Sequence, residues 1–307
     1  MNSQPADAEG KIASQFLDRH CISRAELGPS TILRMHFGRR YLKLDVMNCC
    51  TMRPAALGRA PSMAGIDRAT DVLGPKPRWG EVPAAELQSN PHVAIACVRI
   101  HISAPGTKTS FFAGTGWFIA PGRVVTAAHV VDIRSAWSRV PGATSWHVEV
   151  VPAVSAAAAA PLGGTWATRI DRHPGFVDDT GSPFDLAVIT VTPLAGITAS
   201  HCLVAQTVPE QTGIQVTVSG YPWNNGHPNT QFRQTGPVLA REATNIYYDI
   251  DTEGGQSGSP VLQQTSAGRF AVGVHVGGQG HGQSAMARSL NRGIAFDAST
   301  LTWVRSI

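Results

Sequence analysis

With 307 residues, 43% of them hydrophobic and 15% charged, and with 31 glycines and 21 prolines, the chain has the composition of a turn-rich globular fold and not of a disordered or fibrous one. Its net charge of +4 is scattered apart from Arg34, Arg39, Arg40 and Lys43, so no stripe suited to tracking phosphates is present and nucleic acid is not an expected partner. Five cysteines (Cys21, Cys49, Cys50, Cys97 and Cys202) with no C-x-x-C spacing indicate neither a metal site nor a disulfide framework; free thiols are expected, a bridge between Cys97 and Cys202 being the one exception considered.

The first twenty residues lack a basic start followed by an apolar run, and no later stretch approaches a membrane span. The expectation is a chain without a membrane span, cytoplasmic by default and secreted as the alternative. From Ala8 to His20 the residues Ile12, Phe16 and Leu17 recur at helical spacing, which predicts a short amphipathic helix. Residues 31–37 and 41–46 flank Gly38-Arg39-Arg40 and predict strand, turn, strand. Residues 51–91 carry six prolines (Pro54, Pro61, Pro75, Pro77, Pro83 and Pro91) and read as a linker or wrapping segment. From Val93 onward short apolar or alternating runs separated by turn signals follow: VAIACVRIHI, FAGTGWFIA, VVTAAHVV, HVEVVPAV, DLAVITVT, IQVTVSGY, YYDIDT, SPVLQQ and FAVGVHVG. Many short strands with turns between them predict an all-β barrel or sandwich, and the alanine run at 156–160 reads as a surface loop.

Three segments carry chemistry. A serine hydroxyl is a poor nucleophile at neutral pH and needs an imidazole base, a third group that fixes the imidazole tautomer, and backbone donors for the oxyanion. EGGQSGSPV (253–261) places Ser257 among glycines, where the chain can turn sharply and expose the amides of Gly255 and Ser257. Thr126-Ala127-Ala128-His129 ends a predicted strand and puts a histidine among small neighbours. Asp185 lies between Phe184 and the apolar run Leu186-Ala187-Val188-Ile189, where a carboxylate is costly to bury unless it accepts hydrogen bonds. Each residue alone reads as structural; the order His, Asp, Ser, each in its own segment, points to nucleophilic catalysis.

TAAHVV, FDLAVITV and GGQSGSPV resemble the signature segments of chymotrypsin-like serine peptidases, and the last resembles the bacterial glutamyl endopeptidase branch. The likeness runs through Ser219-Gly220-Tyr221-Pro222, Gly236-Pro237, Asp251-Thr252, Gly273-Val274-His275 and Asn291-Arg292-Gly293, and covers residues 72–307. It implies two antiparallel six-stranded β-barrels with the active site in the cleft between them, preceded by an N-terminal extension or pro-segment at 1–71. It further implies an endopeptidase acting on protein or peptide substrates without a metal or cofactor, with His129, Asp185 and Ser257 as the triad and Gly255 and Ser257 as oxyanion donors. Thr252 and His275 match the positions that hold the substrate carboxylate in glutamyl endopeptidases. Counting back from Ser257 places Asp251 where trypsin-like enzymes keep the carboxylate for arginine or lysine, so cleavage after basic residues is the alternative. A catalytically silent binding module of the same fold is another. Gln256 stands where trypsin-like enzymes have an aspartate that pairs with a new amino terminus, so that activation switch is not expected here. Val72-Leu73-Gly74 resembles the family's mature amino terminus. An α/β-hydrolase elbow would need glycine where Ser259 stands, and its triad runs in another order.

Overall fold

The computed structural model describes residues 78–307 apart from 156–159, 178–181, 224–228, 243 and 279–288, without side chains at 107–113 and 135–136, and gives the backbone of 33–37, 40–44 and 70–71. The helix expected at 8–20, the prolines at 54–77 and most of the alanine run lie outside the described residues.

The hairpin expected near the start is present as β1 (Leu33–Phe37) and β2 (Arg40–Leu44), antiparallel with Phe37 opposite Arg40. Two short strands follow, β3 (Thr70–Asp71) and β4 (Gly80–Glu81). The first barrel comprises β5 (Ile95–Ala104), β6 (Thr107–Ala120), β7 (Arg123–Thr126), β8 (Ser145–Pro152), β9 (Thr165–Arg172) and β10 (Ala187–Val191). The strands close in the order β10-β7-β6-β5-β8-β9. Period-two patterning drives it: in β5 Val98, Ile100 and Ile102 are buried while Arg99, His101 and Ser103 are partly exposed. A register shift between Val98 and Arg99 lets the long β5–β6 ribbon coil around the core.

The second barrel comprises β11 (Gln215–Gly220), β12 (Phe232–Glu242), β13 (Asn245–Tyr248), β15 (Pro260–Thr265), β16 (Gly268–Gly277) and β17 (Asn291–Ala295). It runs β11-β15-β16-β17-β13-β12 and closes through β11–β12, with β4 added at the β12 edge. The remaining strand, β14 (Thr252–Glu253), pairs with β3. Both barrels are antiparallel and six-stranded, as expected. The described end of the proline-rich stretch does wrap, since Val82 N–H donates to Gln231 C=O beside β4.

The architecture adds elements that the chain's patterning did not announce. β9 (TWATRIDR) has little apolar periodicity, and β12 runs straight through Gly236-Pro237, with a register shift against β13 just beyond them, between Val238 and Ala240. Besides the short helix α1 (Arg134–Trp137), a C-terminal helix α2 (Ala298–Ser306) is capped by Asp297, whose carboxylate accepts from Thr300 N–H at 2.7 Å while Thr300 Oγ1 accepts from Asp297 N–H at 2.9 Å. Its Leu301 and Val304 join the core cluster that spans Trp117 and Phe296, whose rings lie 6.1 Å apart. Cys97 is buried and Cys202 half-buried, and both are free, so the bridge considered between them does not form. Burial pushes the Cys97 thiol up to about 12, which leaves it without thiolate reactivity at neutral pH.

Candidate active site

His129 does not end a strand. β7 stops at Thr126, and the histidine sits on a 3-10 turn, Ala128–Val131. The reason is its main-chain partner: His129 N–H donates to Asp185 Oδ1 at 2.9 Å instead of continuing a ladder, while the ring Nδ1 lies 2.6 Å from Asp185 Oδ2. One carboxylate thus holds both the backbone and the ring of one residue. Asp185 is fully buried, whereas the His129 side chain is 23% exposed, so the pair presents its imidazole to solvent and keeps its charge inside. A buried carboxylate is tolerable only with such partners.

Ser257 lies on the opposite barrel, in the loop that follows β14. Gln256 N–H donates to Glu253 C=O at 3.0 Å, and Gly255 has φ +98°, the signature of a type II turn that needs glycine in its third position. Gln256 folds back so that its Oε1 accepts from Glu253 N–H at 2.9 Å; its side chain is occupied in bracing its own turn. Gly258 N–H donates to His275 C=O and Ser259 N–H to Gln256 C=O. Among the described residues the N–H groups of Gly255 and Ser257 take no partner, and both residues are partly exposed while Gln256 between them is buried. The loop therefore leaves two backbone donors without an internal partner, and donors of this kind are what an oxyanion requires.

A residue that the motifs did not reveal ties the two halves together. Thr115, fully buried on β6, donates from Oγ1 to Gly255 C=O at 2.8 Å and from its main-chain N–H to Ser257 C=O at 2.8 Å. Its Oγ1 accepts from Tyr221 N–H at 3.0 Å, and its C=O accepts from Thr126 Oγ1 at 2.6 Å, three residues before His129. Gly258 (φ +88°) passes so close that a Cβ there would lie 1.9 Å from Thr115 C=O. At Gly114 a Cβ would meet Val130 and the Ser257 carbonyl, at 2.7 and 2.8 Å, so the histidine segment and the serine segment converge on that glycine. The only local signal for this strut is a threonine between two glycines in GTGWF.

Beside the loop, Thr252 is buried and its Oγ1 has no partner among the described residues. His275 is buried too, with Nδ1 2.7 Å from Tyr248 Oη. Burial holds the Tyr248 phenol well above its ordinary pKa, so it remains an O–H. Asp251, 1% exposed, is covered by Arg78: Oδ2 accepts from Arg78 N–H at 2.8 Å and from Nε at 3.0 Å, and Oδ1 accepts from Nη2 at 3.0 Å. The same guanidinium reaches Asp249 at 2.6 Å. On β17 the buried Arg292 donates from Nη1 to Asn245 Oδ1 at 3.1 Å; burial lowers its pKa, and the nearby Asp185 charge opposes that shift.

A family profile described as "Trypsin-like peptidase domain" matches residues 114–274, just over half of the chain. The chain is 32% identical over 190 residues to a glutamyl endopeptidase of Bacillus licheniformis, covering 60% of this chain and 56% of that protein. It is 27% identical over 186 residues to a protein of Bacillus subtilis named extracellular metalloprotease, with the same coverage, 60% and 56%. The chain thus spans little more than half the length of these relatives. A solved structure of a Glu endopeptidase superposes with a TM-score of 0.58 at 24% identity, covering 76% of this chain and 98% of that one, which shows the shared fold.

Proposed function

The chain belongs to the trypsin-like peptidase family, and from that premise we propose that it is a serine endopeptidase that cleaves after glutamate, with aspartate second. The observation that carries the reading is the His129–Asp185 pair on one barrel, joined through Thr126 and Thr115 to a turn of the other whose Gly255 and Ser257 N–H groups have no partner among the described residues. In the mechanism, Ser257 Oγ attacks the scissile carbonyl while His129 Nε2 takes its proton, and Asp185 keeps the ring's other proton on Nδ1. The Gly255 and Ser257 amides hold the oxyanion. His129 returns the proton to the leaving amine, the acyl group remains on Ser257, and water activated by the same imidazole releases the acid and restores the serine.

The acidic preference rests on Thr252 and His275. In this reading the Tyr248 hydroxyl donates to His275 Nδ1, 2.7 Å away, and the imidazole carries its proton on Nε2; the buried Thr252 hydroxyl supplies a second donor. The basic alternative loses ground because the Asp251 carboxylate is already engaged by Arg78. A charge-assisted hydrogen bond contributes about 1.5–3 kcal/mol, so glutamate should be preferred over glutamine by about one to two decades in kcat/KM. Otherwise identical peptides with Glu, Gln, Arg or Leu before the scissile bond test this, with His275→Ala beside the wild type. The variant keeps the main-chain bonds of residue 275 and should lose most of the Glu to Gln ratio. A wild-type preference for arginine, or an unchanged ratio in the variant, would remove the carboxylate pocket.

We further assign residues 72–307 to the peptidase unit and 1–71 to an extension removed on maturation. In support, Thr70–Asp71 pairs with Thr252–Glu253, Asp71 opposite Thr252, so the uncut chain lies along the strand that bears the proposed pocket residue. Amino-terminal sequencing of active protein should read Val72; full activity in the uncut chain would make the extension a permanent part of the enzyme.

A further inference from the structure

Asp251 presents a conflict. It precedes Thr252 directly and occupies the position whose carboxylate, in a trypsin-like pocket, draws in a basic side chain. An ionised carboxylate there opposes an acidic substrate, because like charges held close in a dry site repel strongly. The structure resolves the conflict from 173 residues away. Arg78 grips both oxygens of the buried Asp251 with Nε and Nη2, adds its main-chain N–H, and extends to Asp249. Two carboxylates on one guanidinium raise its pKa further, so the cation is permanent. Its side chain is 45% exposed whereas that of Asp251 is fully buried, so removal of Arg78 would weaken the compensation of the inner charge and not of the outer one.

We propose that Arg78 is a specificity-determining positioning residue, which neutralises Asp251 and thereby converts a pocket that would otherwise take lysine or arginine into one that admits glutamate. The proposal rests on the acidic reading of the pocket given above. Arg78 acts through Asp251 and touches no substrate. It holds the carboxylate by three hydrogen bonds and offsets its charge.

The test is a double-mutant cycle read on substrate ratios, with Arg78→Met, which keeps an aliphatic stem, Asp251→Asn, and the two combined. kcat and KM are measured on the Glu, Gln, Arg and Leu peptides. Arg78→Met should lower the Glu to Gln ratio in kcat/KM by roughly tenfold or more, chiefly through KM, and raise cleavage after arginine. Asp251→Asn should raise the Glu to Gln ratio, since the guanidinium then faces only the half-exposed Asp249 carboxylate, and the double variant should return close to the wild-type ratio. A fall of all four peptides together in Arg78→Met, or a ratio that the double variant does not restore, would assign Arg78 to the fold alone and overturn the proposal. If Arg78→Met does not fold, Asp251→Asn decides: an unchanged or lower ratio overturns it. A wild type without glutamate preference would instead overturn the pocket reading; a wild type that prefers glutamate beside an indifferent Arg78→Met overturns only the role of Arg78.

Discussion

Replacing Ser257 by alanine is expected to lower peptide hydrolysis by about 10⁶-fold and leave the fold in place. The turn that bears Ser257 is held through main-chain groups: Ser257 C=O accepts from Thr115, Gly258 N–H donates to His275 C=O, and Gln256 closes onto Glu253. Alanine keeps all of them and removes only the attacking oxygen. His129→Ala should lose as much, and the double variant scarcely more, because nucleophile and base act as one unit. Turnover by active-site titration, beside a thermal melt, checks both halves of this expectation. Near-normal turnover in either single variant would contradict the assignment of the pair.

Asp185→Asn should cost about 10⁴-fold in kcat, with KM close to that of the wild type. The geometry explains why so small a change weighs so much. Asp185 accepts two N–H groups from one residue, the His129 main chain at Oδ1 and the ring Nδ1 at Oδ2. An asparagine has one acceptor oxygen and one donor nitrogen for these two positions. If its oxygen keeps the main-chain N–H, its NH₂ faces Nδ1 and forces the ring proton onto Nε2, the nitrogen that must receive the Ser257 proton. If its oxygen faces Nδ1, the His129 N–H meets a donor and the 3-10 turn must shift. Steady-state kinetics of the variant across neutral pH check the loss. A variant with more than a tenth of wild-type kcat would show that the carboxylate does not hold the tautomer.

The candidate site was legible wherever its residues lie in one short segment. TAAHVV, FDLAVITV and GGQSGSPV each carry one residue of the constellation with its local surroundings, and the structure brings His129 and Asp185 into direct contact. Strands with apolar runs, such as 95–104 and 268–277, were legible for the same reason. Three kinds of feature were not. β9 and β12 lack clean alternation, and Gly236-Pro237 reads as a break although β12 passes through it. The histidine's 3-10 turn depends on a carboxylate 56 residues away, so no local pattern distinguishes it from the end of a strand. Thr115 and Arg78 bond to partners 140 and 173 residues distant, and a threonine between glycines or a lone arginine before a tryptophan has no period or spacing to mark it. Long-range polar contacts are where the composition of single segments stops carrying information.

The most direct test of the account is covalent labelling of the purified protein with a peptidyl diphenyl phosphonate bearing a glutamate side chain at the reacting position. Mass spectrometry should find one phosphonyl adduct per chain, mapped to Ser257, absent from Ser257→Ala and strongly slowed in His129→Ala and Asp185→Asn. Labelling at another residue, or a wild-type protein that remains unlabelled while correctly folded and processed, would contradict the assignment of Ser257 as an activated nucleophile.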